Sequence, residues 1–322
     1  MDRERMLRCF KNITFLQVEP TTYCNFTCDF CCGRHLKQAN LDLNIYQKCI
    51  EKLPALKYLE LQGEGEPFLC PDFFDMVRIA RERNIEISTI TNGSLLTKEN
   101  VEKILDSGLH YLSVSLETTD QKKFEEIRGG NLNQILSGIK YLVEAKRKEG
   151  IDIPHISFSV TILKENIDEV DKIFSLYEKL NLDGGIILQF LNESRDYVKY
   201  YNKSLKGEQI SVKDREKIYH KYYKFLAKQK LLDQQEGHFF TLLHNGRKSM
   251  EKGLQCNWLN SGLYLKVDGS IAPCVYSKEK SFGNAEKEWE NIIEQRCSMI
   301  NDFEQQCIPA LCKEIHCGVV SL

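Results

Sequence analysis

The sequence predicts an α/β fold built on a parallel sheet. Three observations predict it: from residue 13 to about 190, short β-prone apolar runs alternate with amphipathic stretches, the joints between them are brief, and cap residues stand where helices should begin and end. Strand, helix and strand in repetition imply parallel pairing through right-handed crossovers.

In chain order the expected strands are Ile13 to Val18, Tyr58 to Leu61, Glu86 to Thr91, Tyr111 to Leu116, His155 to Ile162 and Gly185 to Phe190. The expected helices are Asp42 to Leu53, Asp72 to Arg83, Thr97 to Ser107, Asn131 to Lys148 and Ile167 to Leu180. Thr97 heads its helix with Glu99 in the first turn, and Gly108 follows the last turn, which is the start and stop pattern of a capped helix. Pro71 is expected at the first positions of its helix, where a missing N–H does no harm. Asn166 is read as the cap of the helix expected from Ile167. Between about 193 and 255, aromatics interleave with lysines, as in Tyr197-Val198-Lys199-Tyr200-Tyr201 and Tyr219-His220-Lys221-Tyr222-Tyr223. A platform for peptide or nucleic acid is one reading; a solvated helix with a packed aromatic stripe is the simpler one.

Bulk properties narrow the function. Lys and Arg number 44 against 46 Asp and Glu, so charge gives no reason to expect a nucleic-acid or anionic-membrane partner. No apolar run approaches the roughly 18 residues of a membrane span, and the charged opening Met1-Asp2-Arg3-Glu4-Arg5 leads into no signal-peptide core. The cytoplasm is therefore the expected compartment.

The 13 cysteines fall into two groups at opposite ends, with none between Cys70 and Cys256. An odd count in a large, apparently unexported chain argues for metal sites over disulfides. The first group is Cys24-Asn25-Phe26-Thr27-Cys28-Asp29-Phe30-Cys31, directly after the first strand, at the end of the sheet where parallel α/β folds bind ligands. Three thiolates on one loop, without a fourth at matching spacing, can hold three corners of a [4Fe–4S] cluster and leave one iron open, whereas electron carriers usually close all four. The alternatives are a zinc knuckle completed by His35 and a chance group of buried cysteines.

The C-x3-C-x2-C spacing resembles the signature of the radical S-adenosylmethionine (radical SAM) superfamily. That resemblance implies a partial (β/α)6 TIM-like barrel over residues 1–195, a helical linker over 196–250 and a small C-terminal iron–sulfur domain over 251–322. It implies that the open iron chelates the amino and carboxylate groups of S-adenosylmethionine, whose reductive cleavage yields a 5′-deoxyadenosyl radical that abstracts hydrogen from a substrate C–H bond. An electron donor such as flavodoxin or ferredoxin is implied as partner. Phe30 matches the position that packs on adenine. Gln62-Gly63-Glu64-Gly65-Glu66-Pro67 resembles the family's Gly-Gly-Glu-Pro, which receives the cofactor ammonium, so the resemblance implies that role for Gly65, Glu66 and Pro67; Glu64 stands where the first glycine is usual, and the resemblance leaves its role open. Thr91-Asn92-Gly93 resembles the Thr-Asn-Gly near the cofactor, and Ser115 with Glu117 matches a serine and an acid near its ribose or methionine. Arg128 matches an arginine that pairs with the cofactor carboxylate, as its planar fork suits. Asn166 also falls at a frequent family position.

The second group opens with Cys256 and Cys274, which flank two expected strands around Asp268-Gly269. Together with Phe282-Gly283-Asn284 and a helix expected from Glu286 to Met299, it resembles the SPASM and Twitch extensions of radical SAM enzymes. The C-x4-C-x4-C ending departs from the full SPASM pattern. It implies one auxiliary [4Fe–4S] cluster of Twitch type on Cys256, Cys274, Cys312 and Cys317, with Cys307 as the substitute; a structural zinc site is the alternative. Cys9, Cys32, Cys49, Cys70 and Cys297 are read as small buried apolar residues, one of which is open to a role as hydrogen-atom donor. Relatives with such extensions mostly crosslink, epimerise or oxidise ribosomally made peptides or proteins, so that is the expected substrate. A small-molecule dehydrogenase or epimerase, and a non-enzymatic iron–sulfur or zinc scaffold, are the alternatives.

Overall fold

A computed structural model describes residues 10–191, 198, 201, 210–230 and 256–305. The chain divides into two compact units, one of Met1–Tyr23, Lys37–Ile87 and Gly237–Leu322, the other of Cys24–Leu36 and Ser88–Glu236.

In the first unit, β1 (Phe15–Val18) lies between two parallel neighbours, β2 (Tyr58–Leu61) and β7 (Gly262–Leu265), with Phe15 opposite both Tyr58 and Gly262. Strand β8 (Ser270–Ala272) returns antiparallel beside β7, and β9 (Gly283–Asn284) beside β8. Gly269 makes the tight turn at φ +79, a left-handed conformation that suits glycine. Leu16, Val18, Leu59, Leu61, Leu263 and Leu265 are all buried. On the alternate residues, Phe15 and Tyr264 pack with Trp258, Leu259 and Phe303 from α8 (Asn257–Ser261) and α9 (Trp289–Glu304). Strands buried on both faces account for the apolar runs visible in the sequence. The unit also holds α1 (Leu43–Glu51), capped by Asp42, and α2 (Phe73–Arg81).

Strand β3 (Glu86–Thr91) begins in the first unit, and from Ser88 onward it belongs to the second. There it pairs in parallel with β4 (Tyr111–Ser115), followed by β5 (His155–Ile162) and β6 (Ile186–Phe190). The apolar members Leu112, Val114, Phe158 and Val160 alternate with Ser113, Ser115, Ser157 and Ser159. Helices α3 (Lys98–Ser107), α4 (Gln121–Arg128), α5 (Leu132–Glu149), α6 (Val170–Lys179) and α7 (Val212–Lys228) complete the unit. The mixed α/β architecture with parallel strands matches the fold class expected from the sequence.

Several details differ from expectation. Helix α4 has no counterpart among the expected helices. Pro71 lies before the α2 cap Asp72 rather than inside the helix. A 3-10 turn, Lys164–Glu169, precedes α6, so the helix starts at Val170. Asn166 is fully buried and does not cap that helix: its side chain accepts from Leu163 N–H at 2.7 Å and donates to Thr161 O at 2.8 Å, closing the exit of β5. Helix α9 begins at Trp289, because Asn284 and Glu288 first bond to each other across a turn. Part of the aromatic stripe of α7 packs inward, with Phe225 stacked on Phe174 of α6 at 4.5 Å and Tyr222 buried, while Tyr219 and Tyr223 are exposed. The packed part fits the simpler of the two sequence readings, and Tyr197, Lys199 and Tyr200 of the other stretch lie outside the described residues.

Candidate active site

In the second unit the cysteine loop is docked on the end of α4. Thr27 N–H donates to Arg128 O at 3.1 Å and Asp29 N–H to Ile127 O at 3.2 Å. The docking requires the two glycines after Arg128. Gly129 has φ +74, and a Cβ there would press on Thr27 Oγ1; a Cβ on Gly130 would enter the Phe26 ring.

All three thiols of the loop receive a hydrogen bond from nitrogen. Asn92 Nδ2 donates to Cys24 Sγ at 3.9 Å, Arg128 Nη1 to Cys28 Sγ at 3.7 Å and Gly33 N–H to Cys31 Sγ at 3.3 Å. Asn92 is itself held: Nδ2 also donates to Asn25 Oδ1 at 2.8 Å, while Oδ1 accepts from Ser94 N–H and hydroxyl. Burial pushes the Cys28 thiol up to about 11, with the Arg128 guanidinium pulling the other way.

Arg128 is buried and forms a two-pronged pair with Glu117, through Nε to Oε2 and through Nη2 to Oε1 at 2.6 Å. Desolvation works against its charge, but Glu117 and Cys28 more than offset this and hold the guanidinium firmly protonated. Arg128 therefore braces the cysteine loop, and a cofactor carboxylate at this position would share it with Glu117. Its guanidinium also lies 5.6 Å from the centre of the Phe30 ring, which packs against Ile127, Leu163 and Leu191. Ser115, half-buried at the end of β4, stands opposite Ser159.

Sequence reasoning missed the support beneath this arrangement. Glu169 is buried and accepts from Thr118 Oγ1, Thr119 N–H, Thr119 Oγ1 and Lys172 Nζ, all between 2.9 and 3.2 Å. Burial raises its pKa, yet these donors outweigh it and bring Glu169 down to about 2. The carboxylate thereby fixes the turn that follows Glu117. The spacing of Thr118-Thr119 and Lys172 was the only signal in the sequence, and it reads as ordinary surface chemistry.

The first unit holds the other predicted residues. Glu66 N–H donates to Tyr23 O at 2.8 Å, fastening the 63–66 loop to the residue before Cys24, and Glu66 Oε1 accepts from Phe68 N–H at 3.2 Å. Pro67 opens a 3-10 turn, Pro67–Leu69. Deeper in the sheet, Glu60 is buried in register with Gln17, and its Oε1 has no hydrogen-bond partner among the described residues. Burial pushes its carboxyl well above the usual range. Cys256 belongs to the buried cluster of Trp258, Tyr264 and Phe303, and Cys274 packs against it. Cys307, Cys312 and Cys317, like Cys9, lie outside the described residues.

Among the described residues no three His, Cys, Asp or Glu side chains converge on a single-ion site. Three thiolates that each take a different iron need no such convergence. The donor chemistry fits an iron–sulfur cluster: three cysteines on one loop, each with an N–H to its sulfur and a buried cation behind Cys28. No helix among the described residues is long and apolar enough to cross a membrane.

Residues 18–177 match the family model described as "Radical SAM superfamily". Among curated proteins, the chain is 30% identical over 189 residues to the tungsten-containing aldehyde ferredoxin oxidoreductase cofactor-modifying protein of Pyrococcus furiosus, covering 55% of this chain and 51% of that one. It is 25% identical over 280 residues to the AdoMet-dependent heme synthase of Methanosarcina barkeri, covering 80% and 75%. With the probable GTP 3′,8-cyclase of Methanococcus aeolicus it shares 27% over 281 residues, covering 82% and 86%. Streptococcus suis SuiB bound to S-adenosylmethionine has a similar fold, with TM-score 0.68, 17% identity and coverage of 88% of this chain and 65% of SuiB. The chain thus spans about half the length of the first relative and just under two thirds of SuiB.

Proposed function

From the premise that this chain is a radical SAM superfamily enzyme, with its radical SAM domain at residues 18–177, we propose that it abstracts hydrogen from a C–H bond of a ribosomally made peptide or protein. Cys24, Cys28 and Cys31 hold a [4Fe–4S] cluster in this reading. When bound, the cluster and S-adenosylmethionine supply one-electron reduction and hydrogen-atom abstraction. The observation that carries the reading is the set of nitrogen donors on the three sulfurs. Such donors draw charge from cluster thiolates and favour the reduced state.

The chain's own residues then do the positioning. Asn92 orients Cys24, and Glu117 keeps Arg128 charged and aimed at Cys28. Gly65 and Glu66 offer backbone carbonyls and a carboxylate to the cofactor ammonium, Phe30 a face to adenine, and Ser115 a hydroxyl near the ribose or methionine. Cys256 and Cys274, with Cys312 and Cys317, hold one auxiliary cluster of Twitch type that accepts the substrate electron or anchors the substrate. Flavodoxin or ferredoxin serves as electron donor. The substrate class is supported by the fold shared with SuiB, which has been seen bound to the precursor peptide SuiA.

A small-molecule substrate is the second reading. It is favoured by relatives whose names refer to GTP cyclisation and heme synthesis, one of them alignable over 82% of this chain. Anaerobically reconstituted protein with dithionite and S-adenosylmethionine should release 5′-deoxyadenosine, and Cys28→Ala should abolish it; turnover retained by Cys28→Ala would sink the proposal. Stimulation of that release by a peptide fraction of the host extract supports the peptide reading, and stimulation by the small-molecule filtrate supports the second.

A further inference from the structure

The 63–66 loop has one position that departs from the Gly-Gly-Glu-Pro pattern, and the packing explains where a side chain is allowed. A Cβ on Gly63 would fall within 3.0 Å of the Glu19 side chain, and one on Gly65 within 3.0 Å of the Thr21 and Tyr23 carbonyl oxygens. Both flanking positions are therefore closed. Glu64, between them, carries a carboxylate whose Oε1 accepts from Lys278 Nζ, with the two side chains only 12% and 17% exposed. Lys278 Nζ also lies 5.2 Å from the centre of the Tyr264 ring on β7, an electrostatic contact that strengthens where water is scarce.

A second link runs parallel to this one. Glu19 Oε1 accepts from Glu64 N–H at 3.1 Å, and Glu19 Oε2 accepts from Val267 N–H at 3.2 Å. One carboxylate at the exit of β1 thus ties the loop to the β7–β8 turn, and Lys278 ties the same loop to the segment that follows Cys274. The loop's conformation is set by residues some 200 positions away in sequence.

We propose that Lys278 is a positioning residue for cofactor binding: through Glu64 it holds Gly65 and Glu66 in the geometry that receives the ammonium of S-adenosylmethionine. This rests on the assignment of Gly65 and Glu66 to that ammonium. A charge pair of low exposure that acts as a unit should show coupled effects when either partner is removed.

The test is isothermal titration of the reconstituted full chain with S-adenosylmethionine and, separately, with 5′-methylthioadenosine, which lacks the amino-acid group. Lys278→Met should weaken S-adenosylmethionine binding on the order of tenfold, as loss of an outer-shell partner commonly does, with 5′-methylthioadenosine binding and iron content unchanged. Lys278→Arg should restore affinity, and Glu64→Gln combined with Lys278→Met should be no worse than Lys278→Met alone. If Lys278→Met does not fold, the near-isosteric Glu64→Gln reports on the same contact: weaker binding supports the proposal and unchanged binding overturns it. Wild-type binding with equal affinity in Lys278→Met, or equal losses for both ligands, overturns the role of Lys278 alone. Absence of S-adenosylmethionine binding by the wild type overturns the assignment of the loop, and the proposal with it.

Discussion

Two buried carboxylates differ in their surroundings: Glu117 is paired with Arg128, whereas Glu60 Oε1 has no hydrogen-bond partner among the described residues. Glu117 faces Arg128, so Glu117→Gln strands a buried guanidinium and should cost about 3–5 kcal/mol in a urea titration. Glu117→Leu with Arg128→Met removes both charges and should recover much of that stability while still impairing cluster retention, read as loss of visible absorbance. Glu60 has an oxygen without a partner among the described residues, and its raised pKa gives a pH signature. Above about 4.5, the ordinary value, the unfolded chain releases this proton while the folded chain keeps it, so stability falls by up to about 1.4 kcal/mol per pH unit. Glu60→Gln should therefore gain little over wild type near pH 5 and distinctly more near pH 8 in thermal melts. Cys24, Cys28 and Cys31 could be singled out in the sequence because their close spacing and place after a strand mark them, and Asn92 only through the resemblance of Thr91-Asn92-Gly93. The bonds of Arg128 to Glu117 and Cys28 were not, since guanidinium partners depend on tertiary packing.

At the scale of elements, α4 and the two glycines after it matter most, for they form the dock of the cysteine loop. Gly129→Ala and Gly150→Ala both place alanine at a left-handed φ, +74 and +67, which costs about 1–2 kcal/mol. Only position 129 also meets another group, since nothing lies within 4 Å of a Cβ at Gly150. Both variants should lower the unfolding midpoint, and Gly129→Ala alone should lose iron on reconstitution. The strands and the capped helices α1, α3 and α5 were readable because apolar periodicity and polar caps act locally. Helix α4 escaped because eight polar-rich residues give too little periodicity, although Asp120 caps it by accepting from Lys123 N–H and Gly129 ends it. The late start of α6 escaped for a different reason: Asn166 reaches back to the strand exit, a bond that competes with helix capping.

At the scale of the whole molecule, the two-cluster reading makes a stoichiometric prediction. Reconstituted wild type should bind about eight irons per chain and Cys274→Ala about four, whereas Cys28→Ala should keep the auxiliary four. A zinc content in place of iron at the distal cysteines would contradict it. The placement of β1 between β2 and β7 has a further consequence, in time. Val18 gains its second partner, Leu265, only after roughly 250 further residues have been made, about 12–50 s at ordinary elongation rates of roughly 5–20 residues per second. Until then the β7 edge of the first strand is open, while the segment leading into the cysteine loop already has its bonds to residues 39–41 and to Glu66. The order of synthesis therefore makes the β7 side of the first strand the later of its two edges to close.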